Sequence, residues 1–213
     1  MPGLIQSMLT SQDLSIKSKP FLVAAVDFDI HSVNVGPFTA FMRSLNNGGL
    51  FFNRSFQIYG FSREESFTNG NYVNILLRQY FGKLTENLFF FGQDMFGFQF
   101  AFVKDSTQII YFNSETGERE VMANDFNDWL QVLDSRLDYY TGEPLMKDWI
   151  NEKGPIAPDV RLIPIKPFIM GGDYEIYNLH TLNFPKYLDY YSDIAHQISS
   201  IPDGTQVKLT IRK

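Results

Sequence analysis

Residues 88–133, LFFFGQDMFGFQFAFVKDSTQIIYFNSETGEREVMANDFNDWLQVL, pass from a period of two to a period near 3.6 within one stretch. Across residues 96–102 the large apolar side chains occupy every second position. Phe96, Phe98, Phe100 and Phe102 therefore share one face of an extended strand. Gly97, Gln99 and Ala101 take the other face, small or polar enough to meet water, which is the pattern of a half-buried antiparallel strand. Residues 88–91 read as a buried strand before it. Residues 108–112 read as the strand after the turn Lys104-Asp105-Ser106. The turn Glu115-Thr116-Gly117-Glu118 leads to a short strand through Val121. Short strands joined by tight turns make an antiparallel meander. Phe126, Trp129, Leu130, Leu133 and Leu137 then recur at helical spacing. Asp125 suits the N-cap of that helix, and Asp128 places negative charge in its first turn.

The flanks are read by the same rules. Residues 1–20 are polar with scattered apolar positions, the pattern of a loosely held extension. Residues 21–30 suit a short strand or an apolar arm. Pro37 fits a first helical turn, with Phe38, Phe41, Met42 and Leu45 on the apolar stripe and Asn46-Asn47-Gly48-Gly49 as the stop. A strand over residues 50–59 follows. Tyr72, Ile75, Leu76 and Tyr80 mark a second helix ending before Gly82. After the meander, Glu143-Pro144 starts a short helix carrying Leu145, Met146, Trp149 and Ile150. Residues 151–167 read as a surface crossing, and residues 168–178 as two strands, or a strand and turn, around Gly171-Gly172. A last helix starts at Asn183 and Pro185 with Leu188, Tyr191, Ile194, Ala195 and Ile198 on its stripe, Tyr187 beside them. The turn Pro202-Asp203-Gly204 precedes a terminal strand over residues 207–211. The domain division expected is an extension at residues 1–29 and one domain at residues 30–213, with residues 155–213 a candidate subdomain.

Charge narrows the function classes. The formal net charge is −6 over 213 residues. Residues 115–159 hold 11 acidic and 4 basic residues, while the segments on either side are close to balanced. A chain that neutralised phosphates would carry the opposite sign, so direct nucleic-acid binding is not expected. An acidic face suits a basic partner, which it attracts and orients. The chain has no cysteine, which removes disulfides, thiolate metal sites and cysteine nucleophiles. The first residues show no basic and apolar leader, and no apolar run approaches a membrane span, so a cytoplasmic chain with no membrane partner is expected.

No motif marks an enzyme. His31, His180 and His196 lack the spacing of a helical metal pair, and no G-x-S-x-G elbow is present. The glycines around Gly92 and Gly171 lack the tail of a phosphate loop, and no calcium loop has its full ligand register. No catalytic residue, metal or cofactor is expected. A pocket of converging titratable groups around His180 or His196 would be the mark that reverses this.

Four pieces carry a family resemblance: a proline-led helix with Asn47-Gly48-Gly49 and a strand; Phe91-Gly92-Gln93-Asp94-Met95-Phe96-Gly97 with alternating aromatics; residues 110–117, IYFNSETG; and Phe126-Asn127-Asp128-Trp129-Leu130. In this order they resemble the SUKH superfamily, over roughly residues 30–211. Residues 167–174, PFIMGGDY, and Ile201-Pro202-Asp203-Gly204 resemble a group of its bacterial members, and the C-terminal half resembles modules of type VI secretion immunity proteins. The resemblance implies an α+β fold, a twisted, mainly antiparallel sheet with helices packed largely on one side. It also implies a cytosolic immunity protein of polymorphic toxin or contact-dependent inhibition systems, a monomer or weak homodimer that neutralises a cognate toxin by occlusion. A regulatory or scaffold module with an endogenous partner is the alternative. The resemblance carries over no binding residue. From charge and type, Glu115, Glu118, Glu120, Asp134, Asp138 and Asp148 are expected to supply the field for a basic toxin, with Tyr139 and Tyr140 as anchors.

Overall fold

The computed structural model describes residues 2–16, 21, 26, 28–199 and 201. A six-stranded antiparallel meander runs through the molecule in chain order: β1 (Gly49–Phe51), β2 (Phe56–Ile58), β3 (Leu88–Gln93), β4 (Gln99–Val103), β5 (Ile109–Phe112) and β6 (Arg119–Ala123). The α+β class and the antiparallel meander are as expected. The helices, expected largely on one side, are divided between the two faces of the sheet.

Alternation along β3 explains the division. Phe89 and Phe91 enter one apolar cluster, Leu88 and Phe90 the other. The first cluster gathers α1 (Pro2–Ser11), α2 (Ser32–Ser44) and α4 (Phe126–Ser135) through Leu4, Met8, Phe38, Phe41, Phe126 and Trp129. The second gathers α3 (Gly70–Phe81), α6 (Glu143–Lys153) and α7 (Lys186–Ile198) through Leu77, Phe81, Met146, Trp149, Leu188 and Tyr191. The short α5 (Leu137–Thr141) adds Tyr140 to the first cluster. A two-stranded antiparallel sheet, β7 (Val160–Pro164) with β8 (Leu179–Asn183), closes the second side.

Several local expectations are corrected by this packing. The strand with four phenylalanines on one face begins only at Gln99. Residues 94–98 form a turn in which Asp94 Oδ1 accepts from the amides of Phe96 (2.8 Å) and Phe98 (3.0 Å). Gly97 takes a positive φ of 84° there, open to glycine at no steric cost. The alternation is broken, so Phe96 and Phe98 join the second cluster and Phe100 and Phe102 the first. Gln99 and Ala101 are buried, not wet.

The N-terminal stretch is not loose over α1, whose Leu4 and Met8 are buried in the core. The following residues are tied to β1 by the Asp13 amide on the Leu50 carbonyl (2.9 Å) and by the Asp13–Arg54 ion pair (2.6 Å). α2 starts at Ser32, so Pro37 lies inside the helix. α3 turns Val73, Leu77 and Phe81 inward in place of the expected stripe, and Ile75 is exposed. Residues 160–164 are a buried strand inside the expected crossing. Residues 168–178 form two 3-10 turns (Phe168–Met170 and Ile176–Asn178) where two strands, or a strand and turn, were expected. The helices α4 and α7 keep the stripes read from sequence, with Asp125 capping α4 through the Asp128 amide at 3.0 Å; Leu137 falls in α5, and Ile198 is half-buried. The turn at residues 202–204, the strand at 207–211 and residues 22–25 and 27 of the stretch 21–30 lie outside the described residues.

In the second cluster the Tyr191 hydroxyl is buried with no hydrogen-bond partner among the described residues. An unpaired buried hydroxyl carries its desolvation cost uncompensated. Tyr191→Phe is expected to stabilise the protein by up to about 1 kcal/mol in urea unfolding. A loss of stability in that variant would show that the hydroxyl is paired.

Candidate functional site

A cleft of about 510 Å³ opens where the Asp94 turn, the β5–β6 hairpin, the α5–α6 junction and the loop before β8 meet. Asp94 forms its floor. The carboxylate is nearly inaccessible and accepts a third hydrogen bond, at Oδ2, from the Tyr111 hydroxyl (2.6 Å). Burial pushes its pKa up to about 6, against the pull of these hydrogen bonds. Asn113, Glu118 and Glu120 come from the hairpin, and Asp138 and Tyr139 from α5.

The walls are aromatic and continuous. Tyr174 stacks on Phe168 (4.0 Å between centroids, 9°) and meets Phe96 edge-on at 5.6 Å. Phe98 reaches Tyr111 at 6.2 Å, and Tyr111 reaches Tyr140 at 5.7 Å. Tyr139 and Tyr174 are 66% and 56% exposed, so both present ring surface to solvent. The Arg136 guanidinium lies 4.5 Å from the Tyr139 ring centroid.

The loop carrying Tyr174 is pinned from below. Asn178 accepts from the Lys166 amide (2.8 Å) and donates to the carbonyls of Lys166 and Asp173 (3.0 Å each). A Cβ on Gly172 would sit 1.9 Å from the Lys166 carbonyl oxygen, so only glycine lets the backbone approach so closely. Glu115 Oε1 accepts from the Ile169 amide at 3.1 Å. Around this anchored backbone Ile165, Ile169, Met170, Tyr174 and Tyr177 remain exposed, and Tyr174 among them lines the cleft.

Residues 37–132 match the SMI1 / KNR4 family (SUKH-1). Over this stretch the chain is of the SUKH superfamily. The match spans α2 from Pro37 through most of α4, with the whole meander and α3, and leaves out α1 and everything after α4. A solved structure, the crystal structure of Atu4351 from Agrobacterium tumefaciens, is similar at 15% identity, covering 74% of each chain with a TM-score of 0.49. A search of curated proteins finds no match.

On this SUKH fold the eight residues expected to meet a partner separate. Glu118, Glu120, Asp138 and Tyr139 line the cleft together. Asp134 on α4 and Asp148 on α6 are exposed and do not line it. Glu115 and Tyr140 are buried and are not surface groups. Burial pushes Glu115 up to about 7, and its role is to hold the loop through Ile169. Tyr140 packs in the core against Phe100 and Tyr111. Sequence reasoning passed over Asp94, Tyr111 and Tyr174. No local pattern marks them, because the cleft joins segments about 80 residues apart.

The histidines do not converge. His180 lies in β8, with its pKa lowered by burial. His196 lines a separate depression of about 380 Å³ with Asp189, Ser192 and Asp193, the kind of setting that would favour an enzyme. Its Nε2 is 2.8 Å from the Tyr80 carbonyl oxygen, and the Ser192 hydroxyl donates to the Asp189 carbonyl at 2.9 Å. The serine is thus turned to its own helix and is not paired with the imidazole as an activated nucleophile would be. Among the described residues no three His, Cys, Asp or Glu gather as a metal site, and no helix is long and apolar enough to cross a membrane.

Proposed function

We propose that the chain is a non-catalytic immunity protein. It binds a cognate bacterial toxin, a nuclease or another effector acting on nucleic acid, and neutralises it by occlusion. The observation that carries this is the cleft, which sets Glu118, Glu120 and Asp138 among exposed aromatic rings on a SUKH fold. An effector that binds phosphate is basic, and an acidic face steers and orients it. Asp134 and Asp148 extend the field, and Tyr139 and Tyr174 supply large anchors at low entropic cost.

The test is co-expression with the toxin encoded beside this chain's gene, scored by growth and co-purification. Wild type is expected to rescue growth and to co-purify. The variant Glu118→Lys/Glu120→Lys/Asp138→Lys is expected to fold but to associate at least about tenfold more slowly at low salt. Rescue and association unchanged in that variant would place docking elsewhere. A neighbouring toxin that neither binds nor is neutralised would overturn the immunity reading.

A further inference from the structure

The described residues lining the cleft include four carboxylates, Asp94, Glu118, Glu120 and Asp138, and no lysine or arginine. Between the carboxylates stand the rings of Phe96, Tyr111, Tyr139 and Tyr174. We propose that the cleft is a receptor for a single arginine side chain of the protein partner. This deepens the reading of a basic protein docking here and rests on it.

Three observations point to a guanidinium over other cations. The walls are flat aromatic surfaces, on which a planar, weakly hydrated guanidinium stacks better than a compact ammonium. The fold already uses this chemistry nearby, with Arg136 lying 4.5 Å and 5.5 Å from the ring centroids of Tyr139 and Tyr140. Among the described lining residues no arginine or lysine stands beside Glu118, Glu120 and Asp138, while Asp94 feels the charge of Arg161 from outside the cleft. The Tyr174 ring is also held before any partner arrives, by its stack on Phe168 and by the hydrogen bonds of Asn178 beneath its loop. A preformed wall loses little freedom on binding. The cleft volume of about 510 Å³ exceeds what one arginine side chain fills, leaving room for the backbone beside it.

The test uses the full chain and no toxin. N-acetyl-arginine-N-methylamide is titrated into isotopically labelled protein and followed by NMR. Saturable shifts are expected at residues 118–120, 139 and 174, with a dissociation constant on the order of 1 mM. The citrulline analogue, equal in shape and uncharged, is expected to bind at least about tenfold more weakly, and the lysine analogue several-fold more weakly. Glu118→Gln/Glu120→Gln/Asp138→Asn is expected to weaken arginine binding about tenfold, and Tyr174→Ala about threefold, with the rest of the spectrum intact. No saturable shift, shifts mapping elsewhere, or equal binding of the citrulline or lysine analogue would overturn the proposal. A chain that ignores the arginine probe yet neutralises its toxin loses this inference and keeps the immunity reading. A chain that binds the probe yet does not neutralise keeps the arginine site and loses that reading.

Discussion

Stability is expected to fall as pH rises from 5 to 8, the reverse of the usual behaviour of paired surface carboxylates. Glu115 and Asp94 carry the effect. Burial raises Glu115 from 4.5 to about 7 and Asp94 from 3.8 to about 6. Each group holds its proton more tightly in the folded chain than in the unfolded one. Between the two pKa values the folded state therefore binds more protons, and stability decreases with rising pH. The favourable contribution is complete below about pH 4 and is gone above about pH 7. Integrated from pH 5 to 8, the two groups amount to about 4 kcal/mol, or about 10 °C in Tm for a chain of this size. His180, lowered by burial, opposes them below its ordinary value of 6.5. Against the upward push of burial, Asp13 is lowered by its hydrogen bonds to Ser15 and its ion pair with Arg54, so its opposing effect lies below pH 4. The variant Glu115→Gln/Asp94→Asn keeps an acceptor for the amides of Ile169, Phe96 and Phe98. It is expected to flatten the profile and to melt higher than wild type at pH 8. Melting temperatures that rise from pH 5 to 8, or a slope unchanged in the variant, would refute the assignment.

Asn74→Ala is expected to cost about 4 kcal/mol. Asn74 is buried on α3 and does the work of a missing strand. Its Nδ2 donates to the Phe90 carbonyl (2.7 Å) and its Oδ1 accepts from the Phe90 amide (2.8 Å). β2 pairs with β3 only at Gln93 and Gly92, and the β3–β4 register shifts between Phe90 and Gly92. Without the asparagine, both backbone groups of Phe90 on that edge stay buried and unpaired, each costing about 1–3 kcal/mol. Asn74→Asp can still accept but cannot donate, and burying its charge makes it comparably unstable. Urea unfolding measures both variants. A cost below about 1 kcal/mol in Asn74→Ala would mean that water or a shifted strand pairs with Phe90.

The local rules that succeeded share a cause. The Asp125 cap, the stripe of Phe126, Trp129, Leu130 and Leu133, and the stripe on α7 depend on residues close in sequence. Spacing alone displays them, as it does the turns of the meander. The half-wet strand failed because the cover of its second face comes from α6, β7 and α7, more than 40 residues downstream. The loose N-terminus failed for a related reason: Leu4 and Met8 are sparse apolar positions until α1 is laid on the sheet.

The candidate site divides along the same line. Sequence alone determined that the acidity concentrates in residues 115–159, that the meander and its closing helix follow one another, and that the pieces stand in SUKH order, because charge, period and order are properties of the chain itself. Only the tertiary structure decided which of those acids face solvent together. Glu115 and Glu118 sit three residues apart in one turn, yet one is sealed under the loop at residue 169 and the other lines the cleft. Burial is set by what packs on top, and here the covering loop and the ring of Tyr174 arrive from the far end of the chain.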